Sequence, residues 1–160
     1  MAVTVAGRGG VARLVPPLRA LVRAALDAAD RRAGAIGLTL TGDDEIRALN
    51  RRWRRLDRAT DVLSFGYDEA AGATPVDGDL VVSMERVMVQ ARRYRVTPGR
   101  ELARLVIHGA LHLAGLDHAT ATERRAMRRS EARVLAAGRA AIAALDRALA
   151  ARRRGAGRPH

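Results

Sequence analysis

The sequence predicts an α+β domain in which a small mixed β-sheet of about four strands packs with helices around one central, histidine-bearing helix. Three observations lead there. Short apolar runs at 1–5, 35–40, 61–65 and 79–82 have strand length and alternate with longer segments of helical period. The segment 98–113 is apolar over most of its circumference, the pattern of a helix buried inside a domain. A chain of 160 residues without internal repeats makes one domain of ordinary size, long enough for a proper core. Helices between successive strands require parallel pairing of some of them.

In chain order, Met1–Val5 reads as a short edge strand and Gly7–Gly10 as a turn. Pro16 and Pro17 open a helix to about Ala33, with Leu18, Leu21, Val22, Ala25 and Leu26 at helical spacing. Ala35–Leu40 is a strand. Thr41-Gly42-Asp43 caps a helix from Asp44 to about Trp53, with Ile46, Leu49 and Trp53 inward. The stretch 51–58 reads as a basic loop, and Asp61–Phe65 as a strand bounded by Gly66. Ala70–Asp77 is a Gly- and Pro-containing loop, Asp79–Val82 a strand, and Ser83 the cap of a helix to about Tyr94 with Val87, Met88 and Ala91 inward. Thr97 and Pro98 start the histidine helix, which carries Leu102, Leu105, Val106, Ala110 and Leu111. Thr120 or Thr122 caps a last, Arg-rich amphipathic helix to about Leu149. Residues 1–150 form the single domain, and 151–160 are expected to be a basic, disordered tail.

Composition narrows the function. There is no Cys, hence neither a disulfide framework nor a thiolate metal site. No apolar run reaches membrane-spanning length and no compact apolar signal segment begins the chain, so a cytoplasmic protein without a membrane partner is expected. The formal charge of +12, carried by Arg alone, favours a polyanionic partner, RNA or DNA. Abundant Ala, Arg and Gly also reflect a coding bias, so the charge is supporting evidence only.

The chemistry is concentrated at His108-Gly109-Ala110-Leu111-His112-Leu113-Ala114-Gly115-Leu116-Asp117-His118, which holds three of the four histidines. His108 and His112, four apart on a helix, share one face. Were the helix to continue, His118 would lie roughly 9 Å further along its axis, beyond a metal bond of about 2 Å. Gly115 can adopt the left-handed conformation that ends a helix and let His118 fold back. Three neutral imidazoles with an open position make a catalytic rather than a closed structural zinc site; a structural site with a carboxylate as fourth ligand is the alternative. Metzincin proteases share this spacing, but their general-base Glu follows the first His, where this chain has Gly109.

The segment Glu101–His118 resembles the signature of the YbeY family of bacterial metal-dependent endoribonucleases. Thr60-Asp61-Val62-Leu63-Ser64-Phe65 is similar to that family's strand motif, and Gly78-Asp79-Leu80-Val81-Val82 to its Gly-Asp strand, so the resemblance spans roughly Leu49 to Ala119. It implies one zinc, or another divalent transition metal, on His108, His112 and His118. It implies a catalytic Arg matching Arg54, with Arg55 next to it where the family commonly has Gly. It implies single-stranded RNA as substrate, a role in small-subunit (16S) rRNA 3′-end maturation and ribosome quality control, and the small subunit and its assembly factors as partners.

A divalent ion at such a site can activate water or polarise a phosphoryl oxygen, and an arginine fork can stabilise charge growing on the phosphate. Asp61, Ser64, Asp117 and Arg104 are candidates for supporting or substrate-binding roles. Two other readings fit the residues. One is a metallohydrolase of another substrate, whose protease form Gly109 disfavours. The other is a ribosome-associated RNA-binding protein with a structural metal.

Overall fold

The computed structural model describes residues 2–67 and 75–156. Ten elements follow one another: β1 (Ala2–Gly7), α1 (Val15–Ala28), β2 (Ala33–Thr41), α2 (Asp43–Arg54), β3 (Val62–Gly66), β4 (Val76–Ser83), α3 (Met84–Tyr94), α4 (Pro98–Leu113), α5 (Ala121–Ala137) and α6 (Arg139–Ala156). The four strands form one sheet in the order β1-β2-β4-β3. β1, β2 and β4 are parallel, whereas β3 runs antiparallel to β4. The reason is connectivity. Helices α1 and α2 carry the chain out of β1 and β2, but only residues 67–75 separate β3 from β4, and a short connection returns the chain antiparallel.

Alternation along β3 and β4 divides the core in two. Leu63 and Val81 face α2 and join Ile46, with Leu49 and Phe65 packed alongside. Leu80 and Val82 face the opposite way and join the main core with Leu102, Leu105, Val106, Ala110 and Leu111 of α4. Helix α4 touches α1, α3, α5, α6, β3 and β4, and is the central helix its composition predicts. Thr97 caps it, accepting the Arg100 N–H at 3.2 Å, with Pro98 in the first turn.

Several boundaries differ from expectation. α1 stops at Ala28 rather than near Ala33, because Asp30 turns left-handed (φ 55°) and the Arg31 N–H returns to the Leu26 carbonyl. Arg51–Arg54 belong to α2, not to a loop. Trp53 is 62% exposed, not inward, since it projects from the last turn of α2. Of the expected loop Ala70–Asp77, Val76 and Asp77 lie in β4, and 70–74 fall outside the described residues. The single last helix is two, broken at Gly138, where a Cβ would approach Leu21 Cδ2 at 2.8 Å and the Val134 carbonyl at 3.1 Å. α6 then buries Ile142, Leu145, Ala148 and Leu149 and continues to Ala156, so 151–156 are helical rather than a disordered tail; 157–160 lie outside the described residues. Among the described residues, no helix is long and apolar enough to cross a membrane.

Candidate metal centre

His108 and His112 project from one face of α4, and the chain reverses just beyond them. Gly115 takes φ 101°, its N–H reaches the His112 carbonyl at 3.0 Å, and the Leu116 N–H reaches the Leu111 carbonyl at 3.1 Å. A side chain at that φ would be strained, so the glycine lets the helix end where it does. His118 is thereby brought back. The ring centroids lie 4.9 Å (His108–His112), 4.6 Å (His112–His118) and 5.8 Å (His108–His118) apart. One nitrogen from each ring falls within 4.8 Å of the others, so the three can hold one small cation.

The surroundings suit a metal that needs neutral imidazoles. Burial, then the proximity of His108 and His118, lowers the pKa of His112 and favours its uncharged form. His108 Nδ1 contacts the Glu131 carboxylate on α5. A carboxylate there fixes the proton on Nδ1 and leaves Nε2 for a ligand, the outer-shell arrangement common at histidine metal sites. Asp117 accepts the His118 N–H at 2.7 Å and lies 3.5 Å from its Nδ1; this backbone hydrogen bond is the chief reason its pKa is lowered. Asp117 therefore orients the returning loop.

The histidines open into a cleft of about 860 Å³ whose walls include Arg54, Arg58, Arg104, Asp61 and Ser64. Arg54 is held at it by donating from Nη2 to the Ser64 carbonyl of β3 at 2.6 Å, with its guanidinium 5.4 Å from the Phe65 ring. Arg55 does not line the cleft. It ends α2 at φ 56°, a conformation glycine adopts freely, which accounts for the glycine common at that position of the resembling family. Ser64 Oγ lies 3.3 Å from the Gly109 carbonyl and ties β3 to α4. Asp61 accepts the Val62 N–H at 2.8 Å and Gln90 Nε2 at 3.2 Å, so it anchors the strand. Arg104 is held by Glu101 at 2.6 and 3.2 Å; that hydrogen bond raises its pKa and keeps its charge.

Position 109 faces the sheet. A Cβ there would lie 2.8 Å from Leu80 Cδ2 and 3.3 Å from both Ser64 Oγ and Val62 Cγ2. A Glu in place of Gly109 would press on all three side chains, each of which would have to yield to admit the protease base.

Sequence reasoning missed two acids, Glu131 (its side chain 13% exposed) and Glu101 (2% exposed). A signal existed for each. Glu131 stands four after Met127 and three before Val134, and Glu101 four before Leu105, so both are charges at core-periodic positions.

A family model described as Endoribonuclease YbeY matches residues 15–138. The Endoribonuclease YbeY of Anaeromyxobacter sp. (strain Fw109-5) is 46% identical over 115 residues, 72% of this chain and 60% of the relative. That of Chloroflexus aurantiacus is 46% identical over 90 residues, 52% of this chain and 58% of the relative. The chain thus spans about three fifths of the length of these relatives. The solution structure of TM1509 from Thermotoga maritima superposes with a TM-score of 0.60 at 28% identity, covering 84% of this chain and 87% of that one. The chain belongs to the YbeY family.

Proposed function

We propose that this protein is a metal-dependent endoribonuclease that cleaves single-stranded RNA, with His108, His112 and His118 as ligands of one zinc or another divalent transition metal and Arg54 as the catalytic arginine. The observation that carries this reading is the meeting of three histidine ligands and Arg54 in one arginine-walled cleft. The names of the YbeY relatives support the substrate class. In the cell the expected setting is the cytoplasm, in small-subunit rRNA 3′-end maturation and ribosome quality control, with the small subunit and its assembly factors as partners.

His108, His112 and His118 would hold the metal, which when bound would supply Lewis acidity at the scissile phosphate. The chain's own residues do the rest. Arg54 presents a planar, permanently charged fork, held in place by the Ser64 carbonyl and the Phe65 ring, to a phosphate whose charge grows in the transition state. Glu131 holds the Nδ1 proton of His108 and so keeps its other nitrogen aimed into the cleft. Ser64 and Asp61 keep β3 against α4 and α3, fixing the distance between Arg54 and the histidines.

The test uses metal-loaded protein with end-labelled single-stranded RNA, with casein in a parallel tube, each repeated with chelator, with His112→Ala and with Arg54→Ala. The expected result is RNA cleavage by the intact protein alone, and a loss of about 10²–10³ in kcat for Arg54→Ala with RNA binding retained. Sparing of DNA and a cyclic phosphate end would identify the 2′-hydroxyl as nucleophile. Cleavage that survives both chelator and His112→Ala would overturn the mechanism, and cleavage of casein instead would overturn the substrate.

A further inference from the structure

Beside the three-histidine cleft lies a second groove of about 310 Å³, walled by Tyr94, Val96, Arg100, Glu101, Arg104 and Leu135. Arg104 lines both, so its side chain stands between the two spaces. The pairing beneath it is built, not incidental. Glu101 is 2% exposed, and a carboxylate that deep needs a partner; Arg104 supplies it with two hydrogen bonds, at 2.6 and 3.2 Å, while its own side chain stays 36% exposed. The guanidinium is thereby held at the rim between the spaces.

Helical spacing sets the order along this path. Arg104 precedes His108 by one turn of α4, about 6 Å along the axis, and Arg100 precedes Arg104 by another. Arg100, Arg104, His108 and His112 therefore form a row on α4, running from the second groove into the cleft. Across the groove, Tyr94 at the end of α3 is 54% exposed, with the Arg93 guanidinium 5.9 Å from its ring centroid. Val96 and Leu135 give the groove apolar surface. Tyr94 is one of only four aromatic residues in the chain, so its exposure here is informative. A groove lined by an exposed ring, two apolar side chains and the guanidiniums of Arg100 and Arg104 offers what one nucleotide of a single strand needs: a stacking surface for the base and forked donors for the phosphate.

We propose that this groove is a subsite for a nucleotide flanking the cleaved bond, in which Tyr94 stacks on the base and Arg100 with Arg104 binds the adjoining phosphate. The proposal rests on the RNA-cleaving function proposed above and adds a direction to it: the strand leaves the metal centre towards the start of α4.

The test compares two RNA substrates sharing one cut site. One is trimmed close to that site, and the other is extended by several nucleotides, first on one side and then on the other. With the intact protein, extension on one side alone should raise kcat/KM. Tyr94→Ala and Arg100→Ala should each reduce that gain by about 10-fold, through KM rather than kcat, and Tyr94→Phe should restore it. Both residues are exposed, and unchanged circular dichroism would confirm that the variants fold. A gain that survives both alanine variants, or no gain from extension on either side, overturns the subsite while leaving the nuclease intact. If the unaltered protein neither binds nor cuts either substrate, the proposed function falls and the subsite with it.

Discussion

Gly109→Ala sets two effects of opposite sign against each other at the heart of the fold. In an isolated helix, replacing Gly by Ala stabilises by about 1 kcal/mol. Here the added methyl would lie 2.8 Å from Leu80 Cδ2, whereas carbon atoms pack at about 3.5–4.0 Å. Leu80 has no exposed surface and sits in the main core, so its methyl cannot swing aside without displacing other buried groups. Val62 Cγ2 and Ser64 Oγ, both at 3.3 Å, must also yield by a few tenths of an ångström. Overpacking of this kind costs about 1–3 kcal/mol, and packing should win, leaving a net loss of about 1 kcal/mol. Urea denaturation of the metal-free protein measures it as a lower midpoint at unchanged slope. Metal affinity should fall as well, because α4 carries two of the three ligands away from the third. A variant about 1 kcal/mol more stable than the parent would refute this account, for it would mean that α4 does not bear on β3 and β4 at this residue.

Three further outcomes follow from the same geometry. Glu131→Ala should weaken divalent-metal binding about 10–100-fold, or about 1.4–2.7 kcal/mol, in a chelator competition, with Glu131→Gln retaining most of the affinity; equal affinity in all three proteins would remove Glu131 from the site. Gly115→Ala forces a side chain into φ 101° and should cost about 1–2 kcal/mol of stability, together with metal affinity as His118 loses its place; unaltered binding would show that the turn has another way to close. RNA affinity should fall with salt with a log–log slope of about −0.7 per phosphate contacted, and Arg100→Ala should reduce the slope by about one such unit, whereas a salt-independent affinity would contradict an arginine-walled RNA cleft.

Much of the site was legible because it is local. His108 and His112 one turn apart, Gly115 as the stop and His118 beyond it are relations within eleven residues, and helix geometry alone constrains how they meet. The apolar circumference of 98–113 likewise announced a central helix, and the alternation of strands with helices announced a mixed sheet. Arg54 came from a different source, the family resemblance, and its bond to the Ser64 carbonyl joins residues ten apart. What the sequence withheld depends on distant partners. Glu131 meets His108 across 23 residues, and only the docking of α5 on α4 makes an acid in an Arg-rich helix part of the site. Trp53 sits at a core-periodic position yet stays exposed, because periodicity reports which face a residue occupies and not whether anything covers it. The break at Gly138 was hidden for the same reason: it lies against Leu21, more than a hundred residues earlier in the chain. The sequence by itself determined which three histidines could share one ion and how the local turn gathers them. Tertiary packing decided what surrounds them, since burial, the sheet order β1-β2-β4-β3 and the pairing of buried charges depend on contacts between segments that no local pattern encodes.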